Sequence, residues 1–215
     1  MPDENAVTAP SHADLARRLE GLNLYLVGMM GTGKSAVGPA LAESLGYRFV
    51  DADAVLEQAS GRTIAEIFAS DGEAGFRQLE TAVLGQISSW HSLVVATGGG
   101  AVTRPENWGH MRQGVVVWLD APPELLLSRL AADPTPRPLM QAADPAERLE
   151  ALLAERRPLY AQADLRIPQT EATPPAGVAA AVLAGLPGLL KSRPAPPDQP
   201  VLLHTDAGDL SQSLN

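Results

Sequence analysis

Residues 22–27 read Leu22-Asn23-Leu24-Tyr25-Leu26-Val27, residues 28–35 read Gly28-Met29-Met30-Gly31-Thr32-Gly33-Lys34-Ser35, and residues 36–45 continue Ala36-Val37-Gly38-Pro39-Ala40-Leu41-Ala42-Glu43-Ser44-Leu45. The first block is a short apolar run of the kind a buried strand needs. The third carries apolar residues at helical spacing and is followed by Gly46, a residue suited to a helix C-cap. The middle block matches G-x-x-x-x-G-K-[ST] at every fixed position, and strand, loop and helix in that order are the setting that gives the match physical meaning. Its glycines let successive backbone N–H groups turn inward around phosphate oxygens, and the helix N-terminus adds the positive end of its dipole. Gly31, Thr32, Gly33, Lys34 and Ser35 are therefore the expected ligands of a nucleoside triphosphate. Lys34 is placed to reach the β- and γ-phosphates, and the Ser35 hydroxyl suits Mg²⁺.

Outward from this loop the chain alternates strands with helices. A helix over residues 11–20, with Ser11 as its N-cap, precedes the first strand. Further strands are expected at 47–50, 93–97, 115–119 and 165–167. Between them come short helices split by Gly61-Arg62-Thr63, a longer helix over about 73–88, one from Pro105, one from Pro123, and a long charged one from Asp144-Pro145. A last helix covers about 175–190. Such alternation implies an α/β fold with a parallel sheet covered on both faces, a three-layer sandwich. Asp133-Pro134-Thr135-Pro136-Arg137-Pro138 cannot be regular structure, because its prolines fall at alternate positions. The domain is expected at 22–190, after an N-terminal extension over 1–21. A proline-rich, polar, disordered tail is expected at 191–215.

Composition narrows the function classes. Apolar residues make up 45% and aromatic ones 4%, as in an ordinary soluble α/β protein. The net charge of −9 argues against general nucleic-acid or anionic-membrane binding. With no cysteine, the chain has no disulfide, thiolate metal site or cysteine nucleophile. Met1-Pro2-Asp3-Glu4-Asn5 has neither the basic nor the apolar region of a secretory signal, so a cytoplasmic location is expected. Residues 176–190 are too short, and too broken by Gly177, Gly185, Pro187 and Gly188, to span a bilayer.

Ligands of parallel sheets bind at the carboxyl ends of the strands. That rule brings three motifs to one cleft: the phosphate loop, Asp51-Ala52-Asp53, and Gly98-Gly99-Gly100. Asp51 and Asp53 are expected at a strand end, on the same side. One would hold Mg²⁺ through water and the other would accept from a substrate hydroxyl; alternatively, Asp53 simply caps the helix that follows. The third strand ends in Thr97 with no acidic residue, which makes Asp51 the better metal candidate. The three glycines are either a flexible turn or a backbone that a ligand approaches closely. Phosphoryl transfer needs cations beyond the loop lysine, and Arg77, Arg137, Arg156 and Arg157 are the candidates. Taken singly, each also fits a solvated surface charge.

Together these motifs resemble the shikimate kinase family. GMMGTGKS, Asp51-x-Asp53, Phe76-Arg77-x-x-Glu80, Gly98-Gly99-Gly100-Ala101-Val102, Arg137-Pro138-Leu139-Met140 and Arg156-Arg157-Pro158-Leu159-Tyr160 occur in the family's order. The resemblance implies a nucleoside-monophosphate-kinase-like fold with strand order 2-3-1-4-5 and a lid over about 133–144. It implies transfer of a phosphoryl group from ATP to the 3-hydroxyl of shikimate, with Mg²⁺, by a monomer. Carried over by position, Lys34 contacts the transferring phosphate, while Ser35 and Asp51 serve the metal. Asp53 hydrogen-bonds the acceptor hydroxyls and takes the proton from the attacking one. Arg77 and Arg156 clamp the carboxylate, Gly99 and Gly100 support the ring substituents, and Arg137 closes over ATP. Arg129 is a candidate for the adenine. Three other readings stay open: a gluconate-kinase-like enzyme, an adenylate-kinase-like enzyme, and an ATP-binding regulatory protein without catalysis.

Overall fold

The computed structural model describes residues 11–133, 144–170 and 173–190. Arg137, most of the expected lid and the expected tail lie outside the described residues.

The sheet consists of β1 (Leu24–Val27), β2 (Arg48–Asp51), β3 (Leu93–Ala96), β4 (Val115–Asp120) and β5 (Leu165–Pro168). All pairings are parallel and the order is β2-β3-β1-β4-β5, the expected one. The helices are α1 (His12–Leu19), α2 (Lys34–Leu45), α3 (Ala52–Ser60), α4 (Ile64–Ser88), α5 (Pro105–Met111), α6 (Pro123–Ala132), α7 (Pro145–Tyr160) and α8 (Pro175–Gly185). β1, β3 and β4 are buried at every position, as parallel strands covered on both faces must be.

The two-residue strand period divides the core. Leu24 and Leu26 point to a layer with Leu15, Leu19, Leu41, Val182 and Leu186, beneath α1, α2 and α8. Tyr25 and Val27 point to the opposite layer, with Leu56, Ile67, Leu84, Trp108 and Tyr160. A third cluster joins Met29 of the phosphate loop to Leu126 and Leu130 of α6 and to Leu149 and Leu153 of α7. The phosphate loop is thereby anchored in apolar packing from below and from one side.

Local chemistry explains where elements begin and end. β1 starts two residues later than the apolar run suggests, because Asn23 is buried and bonds sideways. Its amide donates to the Trp90 carbonyl at 2.7 Å, and its Oδ1 accepts from the Leu93 N–H at 3.0 Å. Ser11 caps α1 as expected, and Asp144 caps α7. Thr63 and Glu66 form a reciprocal capping box at the start of α4. Gly72 (φ 68°, ψ −173°) then kinks α4, so the long regular segment begins at Glu73. The last helix stops short of residue 190: α8 ends at Gly185, and Leu186–Gly188 form a 3-10 turn.

One expectation needs correcting. Asp51 and Asp53 do not both project from a strand. Asp51 closes β2 and is the N-cap of α3, its Oδ1 accepting from the N–H groups of Asp53 (3.1 Å) and Ala54 (3.4 Å). The helix starts at once, so Asp53 sits in its first turn. The capping residue of the pair is Asp51, not Asp53.

Candidate active site

The phosphate loop connects β1 to α2. Gly28 (φ 144°) passes so close to β4 that a Cβ there would lie 2.5 Å from the Leu119 carbonyl oxygen. Gly31 and Gly33 take φ values of 83° and 84°, which side-chain-bearing residues rarely adopt. Lys34 is buried and donates to the carbonyls of Gly28 (2.8 Å) and Met29 (3.0 Å). Thr32 Oγ1 donates to the Met29 carbonyl at 2.8 Å. From outside, Arg129 donates to the Gly31 carbonyl (3.2 Å) and to Gln169 Oε1 (3.0 Å), and Gln169 donates to the Thr32 carbonyl at 2.8 Å. The loop's shape is thus fixed by α6 and by the residue following β5. Nothing in the sequence pattern marks Gln169 for this work.

Beside the loop, Ser35 Oγ donates to Asp51 Oδ2 at 2.6 Å, so the two expected metal ligands already meet. Asp53 stands behind them, half-buried. Burial pushes its carboxyl above the usual range and the charge of Asp51 adds to this, while Lys34 and Arg77 pull it back.

The third wall is built from α4, α7 and the glycine turn after β3. Arg77, 11% exposed, donates through Nη1 to Glu80 Oε2 at 2.7 Å and reaches Glu73 at 3.3 Å. A Cβ on Gly98 would lie 2.6 Å from Glu80 Oε1 and 3.0 Å from Asp53 Oδ1. On Gly99 it would meet the Met30 backbone nitrogen at 3.2 Å, and on Gly100 it would run into the Arg77 guanidinium. None of the three has a positive φ. Glycine is needed here because the site's own carboxylates and guanidinium press against the backbone. Burial raises the Glu80 carboxyl above its ordinary range, and Arg77, with a smaller contribution from Arg156, holds it down. Phe68 stacks on Phe76 at 4.6 Å, and Arg77 lies over the Phe76 ring.

Arg156 is 8% exposed, and its neighbour Arg157 points elsewhere, toward Asp120 Oδ1 at 3.6 Å. Asp120 also receives Arg166, which lies over the Trp118 ring. The structure thus separates the two adjacent arginines and turns Arg156 toward Tyr160 and Glu80. Arg77 Nε, Arg156 Nε and Glu80 Oε1 are buried with no hydrogen-bond partner among the described residues. Ser35 meets Asp51, Arg77 meets Glu80, and the glycine turn stands against Asp53, Glu80, Arg77 and the phosphate loop. Sequence reasoning gives Glu80 no role of its own, although its place three residues after Arg77 on a helix is the signal for their pairing.

Among the described residues no group of three His, Cys, Asp or Glu side chains is arranged to hold a metal ion, and no helix is long and apolar enough to cross a membrane. A surface groove of about 480 Å³ between α1, α2 and α8, lined by Leu15, Ala40 and Leu183 among others, shares no residue with this site.

The family model described as shikimate kinase matches residues 30–187. Shikimate kinase from Synechococcus sp. (strain RCC307) is 60% identical over 189 residues, covering 88% of this chain and 96% of that protein. The one from Synechococcus sp. (strain CC9605) is 60% identical over 185 residues, covering 86% and 92%. The solved structure of shikimate kinase from Acinetobacter baumannii in complex with shikimate superposes with a TM-score of 0.73 at 42% identity, covering 79% of this chain and 94% of that one. With the family model spanning most of the domain, the chain belongs to the shikimate kinase family.

Proposed function

We propose that this protein transfers the γ-phosphoryl group of ATP to the 3-hydroxyl of shikimate, a step toward chorismate and the aromatic amino acids. The observation that carries the acceptor assignment is the pair of arginines Arg77, 11% exposed, and Arg156, 8% exposed, each with a buried and unpartnered Nε, beside the phosphate loop. Planar guanidinium groups match a carboxylate in two-pronged fashion, and Arg77, though paired with Glu80 and Glu73, keeps its Nε for a further acceptor, as does Arg156. Shikimate supplies a carboxylate at one end of its ring and hydroxyls at the other. The clamp would then turn the hydroxyls toward Asp53 and the phosphate loop, with Gly99 and Gly100 giving the ring room.

The chemistry follows from that placement. Lys34 exchanges the carbonyls of Gly28 and Met29 for phosphate oxygens. Asp53, whose proton affinity burial and Asp51 raise, takes the proton from the attacking hydroxyl. The acceptor oxygen bonds to the γ-phosphorus as the bond to the bridging oxygen breaks, and the electron pair leaves with ADP. Ser35 Oγ and Asp51 Oδ2, 2.6 Å apart, are hard oxygen donors that would hold Mg²⁺. When bound, the ion neutralises charge on the triphosphate. Arg137 is assigned to the transferring group by the family resemblance. The enzyme is taken to act as a cytoplasmic monomer with no nucleic-acid or membrane partner, in keeping with its acidic charge.

The test is to identify the product formed from ATP, Mg²⁺ and shikimate. One phosphate attached at the 3-position, seen by phosphorus–proton correlation NMR, is the expected result. Phosphate at another hydroxyl, or no phosphorylated ring, contradicts the proposal.

A further inference from the structure

Tyr160 is the last residue of α7, four residues after Arg156, and is 1% exposed. Its hydroxyl donates to the carbonyl of Gly99 at 2.5 Å and touches Met29 Sδ at 4.0 Å. Its ring stacks on Trp118 of β4, with centroids 6.0 Å apart. Gly99 in turn abuts the phosphate loop, close to the Met30 nitrogen. One side chain therefore joins the end of α7 that carries Arg156, the acceptor-side glycine turn, and the donor-side phosphate loop. A tyrosine needed only for packing would be served by phenylalanine. This hydroxyl ends at a backbone carbonyl between the two substrate sites.

We propose that Tyr160 is a positioning residue: its hydroxyl holds the backbone of residues 98–100 in register with the phosphate loop, and so sets where the acceptor lies relative to the γ-phosphate. The inference rests on the acceptor reading given above. Burial pushes the Tyr160 hydroxyl up to about 12, so it remains a donor across the working pH range. Without it the Gly99 carbonyl loses its partner, and the turn is free to shift against Met30 and Arg77.

Tyr160→Phe keeps the ring and removes the hydroxyl, with its donation to the Gly99 carbonyl and its contact with the Arg156 guanidinium. The measurements are shikimate KM, ATP KM, and the ratio of ATP hydrolysed to acceptor phosphorylated, all at saturating partner substrate. Shikimate KM is expected to rise about 5- to 10-fold, the scale of one hydrogen bond to a buried group, with ATP KM within about twofold. The hydrolysis ratio is expected to rise with it. These quantities do not depend on how much of the variant is folded, so a poorly folding variant still gives an answer, and bound ATP stabilises what is folded. A variant with lower Tm or kcat but unchanged shikimate KM and unchanged hydrolysis ratio overturns the proposal and leaves Tyr160 a packing residue. If the unaltered protein shows no response to shikimate, it is the acceptor reading that fails, and the hydrolysis ratio is then measured with whichever acceptor it uses.

Discussion

Adjacent residues in this chain have opposite surroundings, and their variants should differ accordingly. Arg156 is buried near Tyr160 and Glu80, whereas Arg157 reaches the carboxylate of Asp120. Arg156→Ala and Arg77→Ala are each expected to raise shikimate KM by about 10- to 100-fold, since hydrogen bonds to charged groups contribute roughly 1.5–3 kcal/mol. Arg157→Ala should leave that KM within about twofold; steady-state kinetics on the three variants checks the contrast. Asp53→Asn removes the proposed proton acceptor and should lower kcat by about 10²- to 10⁴-fold. The phosphate-loop residues were legible in the sequence because their chemistry is written in eight consecutive positions. The roles of Tyr160 and Gln169 were not, because each acts on a loop more than 60 residues away in sequence. No local pattern encodes that meeting. Between these extremes, Arg156 could be told from Arg157 only through the family motif; helix periodicity alone leaves both near the end of a charged helix.

Element boundaries in this molecule follow single polar side chains. Asp51 ends a strand and starts a helix by capping it, which moves Asp53 from a strand edge to a helical turn. Strand alternation, applied one residue too far, misplaced the pair. The glycine turn after β3 shows the same dependence on neighbours. Its position at a strand end was legible, but its reason was not, because the groups that crowd it come from α4 and from α3. A Cβ at residue 100 would displace the Arg77 guanidinium. Gly100→Ala is therefore expected to raise shikimate KM by about tenfold or more, while ATP KM changes little and the fold persists, as circular dichroism and the two KM values will show.

Across the whole molecule, the burial of Asp53 and Glu80 comes at some cost to stability. Asp53 and Glu80 both have carboxyls raised above their ordinary values of 3.8 and 4.5, chiefly by burial. Between the unfolded and folded pKa of each, the folded protein binds more protons than the unfolded one. Stability therefore falls as pH rises through that window, and the full cost is present above it. Asp53→Asn should accordingly raise Tm at neutral pH even as it lowers turnover, because the amide carries no charge to desolvate. The gain should shrink as pH falls toward 4; thermal melts across pH measure it. At this scale the sequence was most informative. Alternating strand and helix patterns sufficed for a parallel sheet with two covered faces. The strand order, however, came through the family motifs, since alternation is compatible with more than one winding.

The most direct measurement is ADP release from Mg²⁺ and ATP with no acceptor, with shikimate, with gluconate and with AMP. The account predicts strong stimulation by shikimate alone. Equal stimulation by gluconate or AMP, or ATP binding with no acceptor-dependent release, would contradict it.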